Sequence, residues 1–188
     1  MSTHRFGRIA ARNVEQIRRA AISAFHGRGL DTPLEQIAAS AGVSKGTIYH
    51  RFGGRSGLID AVIGELVGVE MHKIINRALQ TIDPWASVAT YIADRRALHY
   101  REPAAVDSLI MAYPQSEQLA LLAAAATEAT DKLLQRAKNA HTLRNDFTTS
   151  DLFYADAGNG LAMRQFGRPS LPDYNRRTAL FIESLRER

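Results

Sequence analysis

Cysteine is absent from this 188-residue chain. That excludes disulfides, thiolate metal sites and cysteine nucleophiles. Aromatic residues are few, 7% of the chain with a single Trp. No apolar run approaches the roughly 20 residues needed to cross a bilayer. The first twelve residues are polar and basic with no apolar stretch behind them, unlike a secretory signal. The expectation is a cytoplasmic protein with no membrane partner. Strand signals are also scarce, because no stretch alternates apolar and polar residues for long between turn residues. The metal-carboxylate pattern Glu-x-x-His, the His-Glu-x-x-His motif and the Walker loop are all missing. The string Gly42-Val43-Ser44-Lys45-Gly46 matches a nucleophile elbow by letter alone. That motif needs a strand before its serine, and a capped helix stands there instead. Neither a cofactor nor a metal is expected, and an enzyme is the disfavoured class.

The chain does carry charge, and it is placed unevenly. Residues 1–60 hold nine Lys/Arg against four acids (Glu15, Asp31, Glu35, Asp60), while the remainder holds fifteen of each. The whole formal excess of +5 therefore sits in the first third, where it attracts polyanions. Helical periodicity recurs along the chain. Val14, Ile17, Ala21, Ala24 and Phe25 make one helix face, which Gly27 and Gly29 should end. Thr32-Pro33-Leu34-Glu35 reads as an N-cap, a proline at the first helical position and a capping-box glutamate. Gly42 breaks that second helix, and Ser44 caps a third that runs to about Arg51. Gly53-Gly54 ends it. A single amphipathic helix is expected over 55–81, joining head to body rigidly. Asp83-Pro84, Pro103 and Pro114 mark further boundaries. Later helices are expected over about 115–139, 149–167 and 172–187, with a loop at 140–148. The expectation is an all-α protein of about nine helices. It should divide into a three-helix head at 1–55 and a helical effector-binding and dimerisation body at 56–188.

Function concentrates between Leu34 and Phe52. Two short helices meet at a tight turn, with small Ala38 where they cross and Gly42 where a Cβ would be opposed. Ile37, Val43 and Ile48 are apolar where the pair must bury itself. This is helix-turn-helix spacing, which lays the second helix across the DNA major groove. Ser44, Lys45, Thr47, Tyr49, His50 and Arg51 crowd that second helix. Gly46 admits close backbone approach, and free amides at the helix start favour phosphate. Arg55 begins the next helix within reach of the same DNA backbone.

Residues 12–66 resemble the DNA-binding head of the TetR family of regulators. The matching residues are Phe25-His26-Gly27-Arg28-Gly29, Thr32, the string from Ile37 to Tyr49, then Phe52, Arg55 and Leu58. The resemblance implies a homodimer, one head per half-site of a pseudo-palindromic operator, and a body that binds a small-molecule effector. It implies DNA contacts from Thr47, Tyr49 and Arg55, with Ser44, Lys45, Gly46 and His50 lining groove or backbone. Thr32 is counted with this DNA-binding set. Arg51, where such proteins often carry His, and the glycines at 53, 54 and 57 depart from the pattern. The body resembles the family in helix number and boundaries. Its expected effector pocket is lined by Trp85, Tyr91, His99, Met111, Tyr113, Phe153 and Met163. Its expected dimer face comprises Leu152, Leu161, Thr178, Phe181, Ile182 and Leu185. A sequence-neutral architectural DNA binder and an all-helical ligand-binding enzyme remain as alternatives, and nothing in the residues decides between repression and activation.

Overall fold

The computed structural model describes residues 3–110 and 116–187. Its helices are α1 (Thr3–Arg28), α2 (Leu34–Ala41), α3 (Lys45–Phe52), α4 (Arg55–Ile63), α5 (Val69–Gln80), α6 (Pro84–Arg101), α7 (Pro103–Ile110), α8 (Glu117–Asn139), α9 (Thr149–Phe166) and α10 (Leu171–Glu183), with a π-helical turn, Gly64–Gly68, between α4 and α5. Counting the run from Arg55 to Gln80 once, the described residues form nine helical segments. Their extended pairing is confined to one bridge, Leu143 with Arg186. The all-α expectation holds.

Local chemistry explains most of the boundaries. α1 runs through Gly27 and stops only at Gly29, whose φ of +90° a side chain would oppose. α6 starts where the Ala86 amide donates to Asp83 Oδ1 (2.6 Å). α9 opens with a capping box in which Thr148 and Asp151 satisfy each other's backbone amides. Ser170 caps α10. The capping box expected at Thr32 does not form. Pro33 occupies the cap position of α2 and no side chain caps it.

The run from 55 to 81 is not one α-helix. The π-turn inserts an extra residue, and the buried face moves with it. Val67 is buried and Val69 exposed, where an uninterrupted helix would have covered Leu66 and Val69. Beyond the turn, Met71, Ile74, Ile75 and Ala78 are the buried set.

The chain divides into two compact units, Met1–Gly68 with Glu102–Ala120, and Val69–Arg101 with Leu121–Arg188. α7 belongs with the first of these units. In that unit α1 packs against α2, α4 and α7, and α3 against α2 and α4. Ile17, Phe25, Leu30, Ile37, Ile48, Leu58 and Ile59 form its core, each worth about 1.5–3 kcal/mol of burial. Two buried acids tie α7 to the first turn. The Leu30 amide donates to Asp107 Oδ2 (2.6 Å), and His26 Nδ1 pairs with Glu102 Oε2. Gly29 is required there twice over, since a Cβ would also overlap the Asp107 carboxylate.

In the second unit α6 packs against α5 and α10. Its core includes Ala78, Val88, Tyr91, Ile92, Leu133, Ala137, Leu143 and Leu152. The segment 140–148 is irregular, as expected, and the Arg144 amide donates to the Leu185 carbonyl (3.0 Å).

Candidate nucleic-acid interface

α2 and α3 are short helices held by a turn that only a few residues allow. Gly42 adopts the left-handed conformation (φ 66°, ψ 31°), and its amide donates to the Ala38 and Ala39 carbonyls. This is the C-terminal cap that glycine favours. Ala38 is buried in the helix pair, and Ile37 and Ile48 are fully covered. Ser44 then caps α3: its Oγ accepts from the Thr47 amide (3.2 Å) and pairs with Thr47 Oγ1 (2.9 Å). With Ile48 turned inward, the other side of α3 faces solvent.

That exposed side gathers most of the residues expected to meet DNA. Ser44, Lys45, Gly46, Tyr49, His50 and Arg51 are exposed and Thr47 is half-buried. No acid lies in the first turn of α3, and His50 and Arg51 lie in its last. Lys45 Nζ donates to Glu35 Oε1 of α2 (2.5 Å) and stands 5.8 Å from the Tyr49 ring centre. Its hydrogen bond with Glu35 raises the lysine pKa and lowers the glutamate's. Arg55 starts α4 half-buried, with Nη1 donating to the Leu30 carbonyl (2.6 Å). A guanidinium has further N–H donors beyond that one.

Thr32 stands apart from this set. It is buried, and its hydroxyl donates to the Gly29 carbonyl (2.8 Å), holding the α1–α2 turn. Its side chain presents nothing to a ligand, which corrects its inclusion among the DNA-facing residues. The glycines at 53, 54 and 57, departures in the sequence, have structural reasons. Gly53 caps α3 at φ 72°. A Cβ on Gly54 would press the Tyr49 ring, and one on Gly57 would overlap the Phe52 carbonyl oxygen. Gly46 differs: a Cβ there would make only ordinary contact, 3.6 Å from Ser44 Oγ. Nothing among the described residues demands glycine at that position.

Residues 17–62 match the model of the bacterial regulatory proteins of the tetR family. The match spans α2 and α3 together with the adjoining parts of α1 and α4. No curated protein sequence matches the chain at a significant level, but many solved structures do. A TetR transcriptional regulator from Streptomyces coelicolor is 26% identical, with a TM-score of 0.56 over 92% of this chain and 98% of that one. FadR of Bacillus subtilis, solved with stearoyl-CoA, shares the fold at 14% identity and a TM-score of 0.67, covering 90% of this chain and 96% of its own. The ketosteroid regulator KstR2 of Mycobacterium tuberculosis does so at 15% and 0.61, covering 94% and 96%. The matched segment thus sits within a chain whose fold along most of its length is that of these solved regulators.

In the body, the expected pocket and dimer residues part company. Tyr91, His99 and Met163 are buried. Trp85 is half-buried under the Arg186 guanidinium, 4.4 Å from its ring centre. Phe153, expected in the pocket, is 42% exposed at the start of α9. Met111 and Tyr113 lie outside the described residues. Of the expected dimer face, Leu152, Thr178 and Leu185 are buried within the single chain and so have no surface to offer a second copy. Leu161 is 54% exposed, and Phe181 and Ile182 are half-buried. Sequence reasoning missed Tyr154, Phe166 and Leu180, which are the more exposed apolar residues of α9 and α10. Their signal was partly available: Tyr154 and Leu180 lie off the stripe that buries Leu152, Met163, Tyr174 and Thr178, whereas Phe166 follows Met163 at helical spacing and is the last residue of α9.

Among the described residues no group of His, Asp and Glu is arranged to hold a metal ion, and no helix is long and apolar enough to cross a membrane.

Proposed function

We propose that the chain is a homodimeric, sequence-specific repressor that places α3 in the DNA major groove and releases its operator when the body binds a small effector. It acts by binding rather than catalysis. The observation that carries this is the outer side of α3. Ser44, Lys45, Tyr49, His50 and Arg51 stand in solvent on a capped helix, with a glycine at 46 that no contact among the described residues requires. A close external neighbour such as a phosphate or base edge supplies the requirement. In this reading Thr47, Tyr49 and Lys45 face the groove, and Arg55 meets a phosphate through donors not used on Leu30.

Dimerisation is supported by the apolar side chains that α9 and α10 leave in solvent, among them Tyr154, Leu161, Phe166 and Leu180. Exposed apolar groups at this density mark an interaction surface. Effector control is supported by the fold shared with FadR, which was solved with stearoyl-CoA.

Selection of bound duplexes from a random pool, using the full chain, tests the reading. The expected result is a pseudo-palindrome with half-sites about one helical turn, ~34–36 Å, apart or a multiple of it. The Arg55→Gln protein should bind every sequence more weakly and lose about one unit of salt slope. A chain indifferent to duplex sequence, or monomeric at binding concentrations, would refute the proposal.

A further inference from the structure

Three ionised groups lie together inside the second unit. Arg95 and Arg96 come from α6 and Asp156 from α9, with exposures of 6%, 6% and 0%. Arg96 Nε donates to Asp156 Oδ1 (3.0 Å), and Arg95 Nη2 stands 3.3 Å from Asp156 Oδ2. Asp156 is the one carboxylate ion-paired with either guanidinium among the described residues. One residue type is thus present in excess: two buried cations share one buried anion. His99, a helical turn beyond Arg95, is 2% exposed. Burial pushes its pKa down to about 4, so it stays neutral, and the charges facing it are those of Asp156, Arg95 and Arg96. The cluster holds a net positive charge away from water, which is strongly unfavourable unless an anion completes it.

Three of its polar atoms make no hydrogen bond. Arg95 Nε, His99 Nδ1 and Asp156 Oδ2, the last only ion-paired with Arg95 Nη2, are buried without a hydrogen-bond partner among the described residues, a rare condition in a folded chain. The guanidinium planes are set by their surroundings. Arg95 lies 5.2 Å from the Tyr91 ring centre, and Arg96 lies 4.0 Å from that of Phe181. The Tyr91 hydroxyl is itself held, donating to the Ala126 carbonyl (3.1 Å) beside Thr130 Oγ1. A single Arg–Asp pair would have sufficed to join α6 to α9. The second arginine has only a share of that one carboxylate, and the imidazole Nδ1 has no hydrogen-bond partner among the described residues, so both add cost.

We propose that Arg95, Arg96 and His99 form a recognition site for a carboxylate or phosphate group of a small anionic effector. The anion neutralises the surplus guanidinium and takes up Arg95 Nε–H, while Asp156 holds Arg96 in place. This rests on the effector-responsive reading above and names the chemistry of the ligand.

The full chain tests this with inorganic phosphate, acetate and hexanoate as probes, against chloride at equal ionic strength and hexanamide as a neutral control. Thermal melting and the nitrogen resonances of labelled histidine are the readouts. A saturable rise in melting temperature with at least one of the three anions, together with a shift at His99 and no response to hexanamide, is expected. Preference between phosphate and hexanoate assigns the group. Arg95→Met should weaken that response by at least about tenfold, the value of one charge-assisted hydrogen bond. It should also melt no lower than the parent in chloride, since it removes an uncompensated charge. His99→Leu provides a second variant, with the same weakening. No saturable response in the parent, or an equal response in both variants, would overturn the site. Anions that bind as described yet leave the affinity for the selected operator unchanged would leave the site standing and refute the effector-responsive reading instead.

Discussion

On α3, Lys45 and Arg51 stand in solvent, and the partner of Lys45 is an exposed glutamate ten residues back. On α6, Arg95 and Arg96 are buried around a carboxylate sixty residues away. The same kind of side chain therefore does opposite work in the two units. An exposed cation contributes almost nothing to folding, because water and salt screen its ion pair. It remains available to a polyanion. A buried cation is committed to the fold, and each unmatched charge there weakens the structure or waits for a ligand. The first unit thus keeps stability and function on separate residues, with Ile37 and Ile48 inside and the polar groups of α3 outside. The second unit combines them in one cluster.

The sharpest way to break this contrast is to remove the shared anion. Asp156→Ala should cost about 3–5 kcal/mol, since it strands two buried guanidiniums. Urea unfolding measures it, and a loss below about 1 kcal/mol would show the cluster to be hydrated. Acid comes next. His99 is neutral in the fold with its pKa pushed down to about 4, against 6.5 ordinarily. The unfolded chain therefore takes up this proton first as pH falls. The stability due to the neutral ring is complete above about pH 6.5 and is lost between there and about pH 4, at roughly 1.4 kcal/mol per pH unit. Stability measured against pH should fall less steeply in His99→Leu than in the parent over that window. Parallel curves would refute the assignment.

The head should respond in the other currency. Lys45→Gln should leave the melting temperature unchanged while relaxing operator preference at one position by roughly tenfold to a hundredfold. Competition binding against single-position operator variants reads this. An altered melting temperature with unchanged preference would reverse the comparison. The smallest effect is at the cap. Ser44→Ala should cost about 1 kcal/mol of stability by freeing the Thr47 amide. Its DNA affinity should fall too, because the amides it organises are those that point outward.

Much of the head was legible because its determinants are neighbours in the chain. Ser44 reaches the amide three residues on, and Gly42 closes on carbonyls three and four residues back. The apolar spacing of Ile17, Ala21 and Phe25 is that of a helix face. The misreadings were of another kind. Thr32 has the composition of a cap, yet its hydroxyl is drawn to Gly29 because the α1–α2 turn folds over it. Gly57 looks dispensable until the Phe52 carbonyl is placed beside it. The glycines flanking Glu65–Val67 gave no numerical warning that the helix would widen into a π-turn there.

Residue order alone determined most of the helix spans, the caps at Ser44 and Ser170, the helix-turn-helix and the surplus of positive charge in the first sixty residues. Each of these depends on contacts within about four residues or on a simple count. Tertiary packing alone decided that Asp107 would anchor the Leu30 amide across 77 residues, that Leu152 and Thr178 would face inward while Tyr154 and Leu180 faced out, and that Arg95, Arg96, His99 and Asp156 would share one dry interior. Burial depends on which remote surfaces meet. It sets the energy of a charge, and so neither could be read from neighbours along the chain.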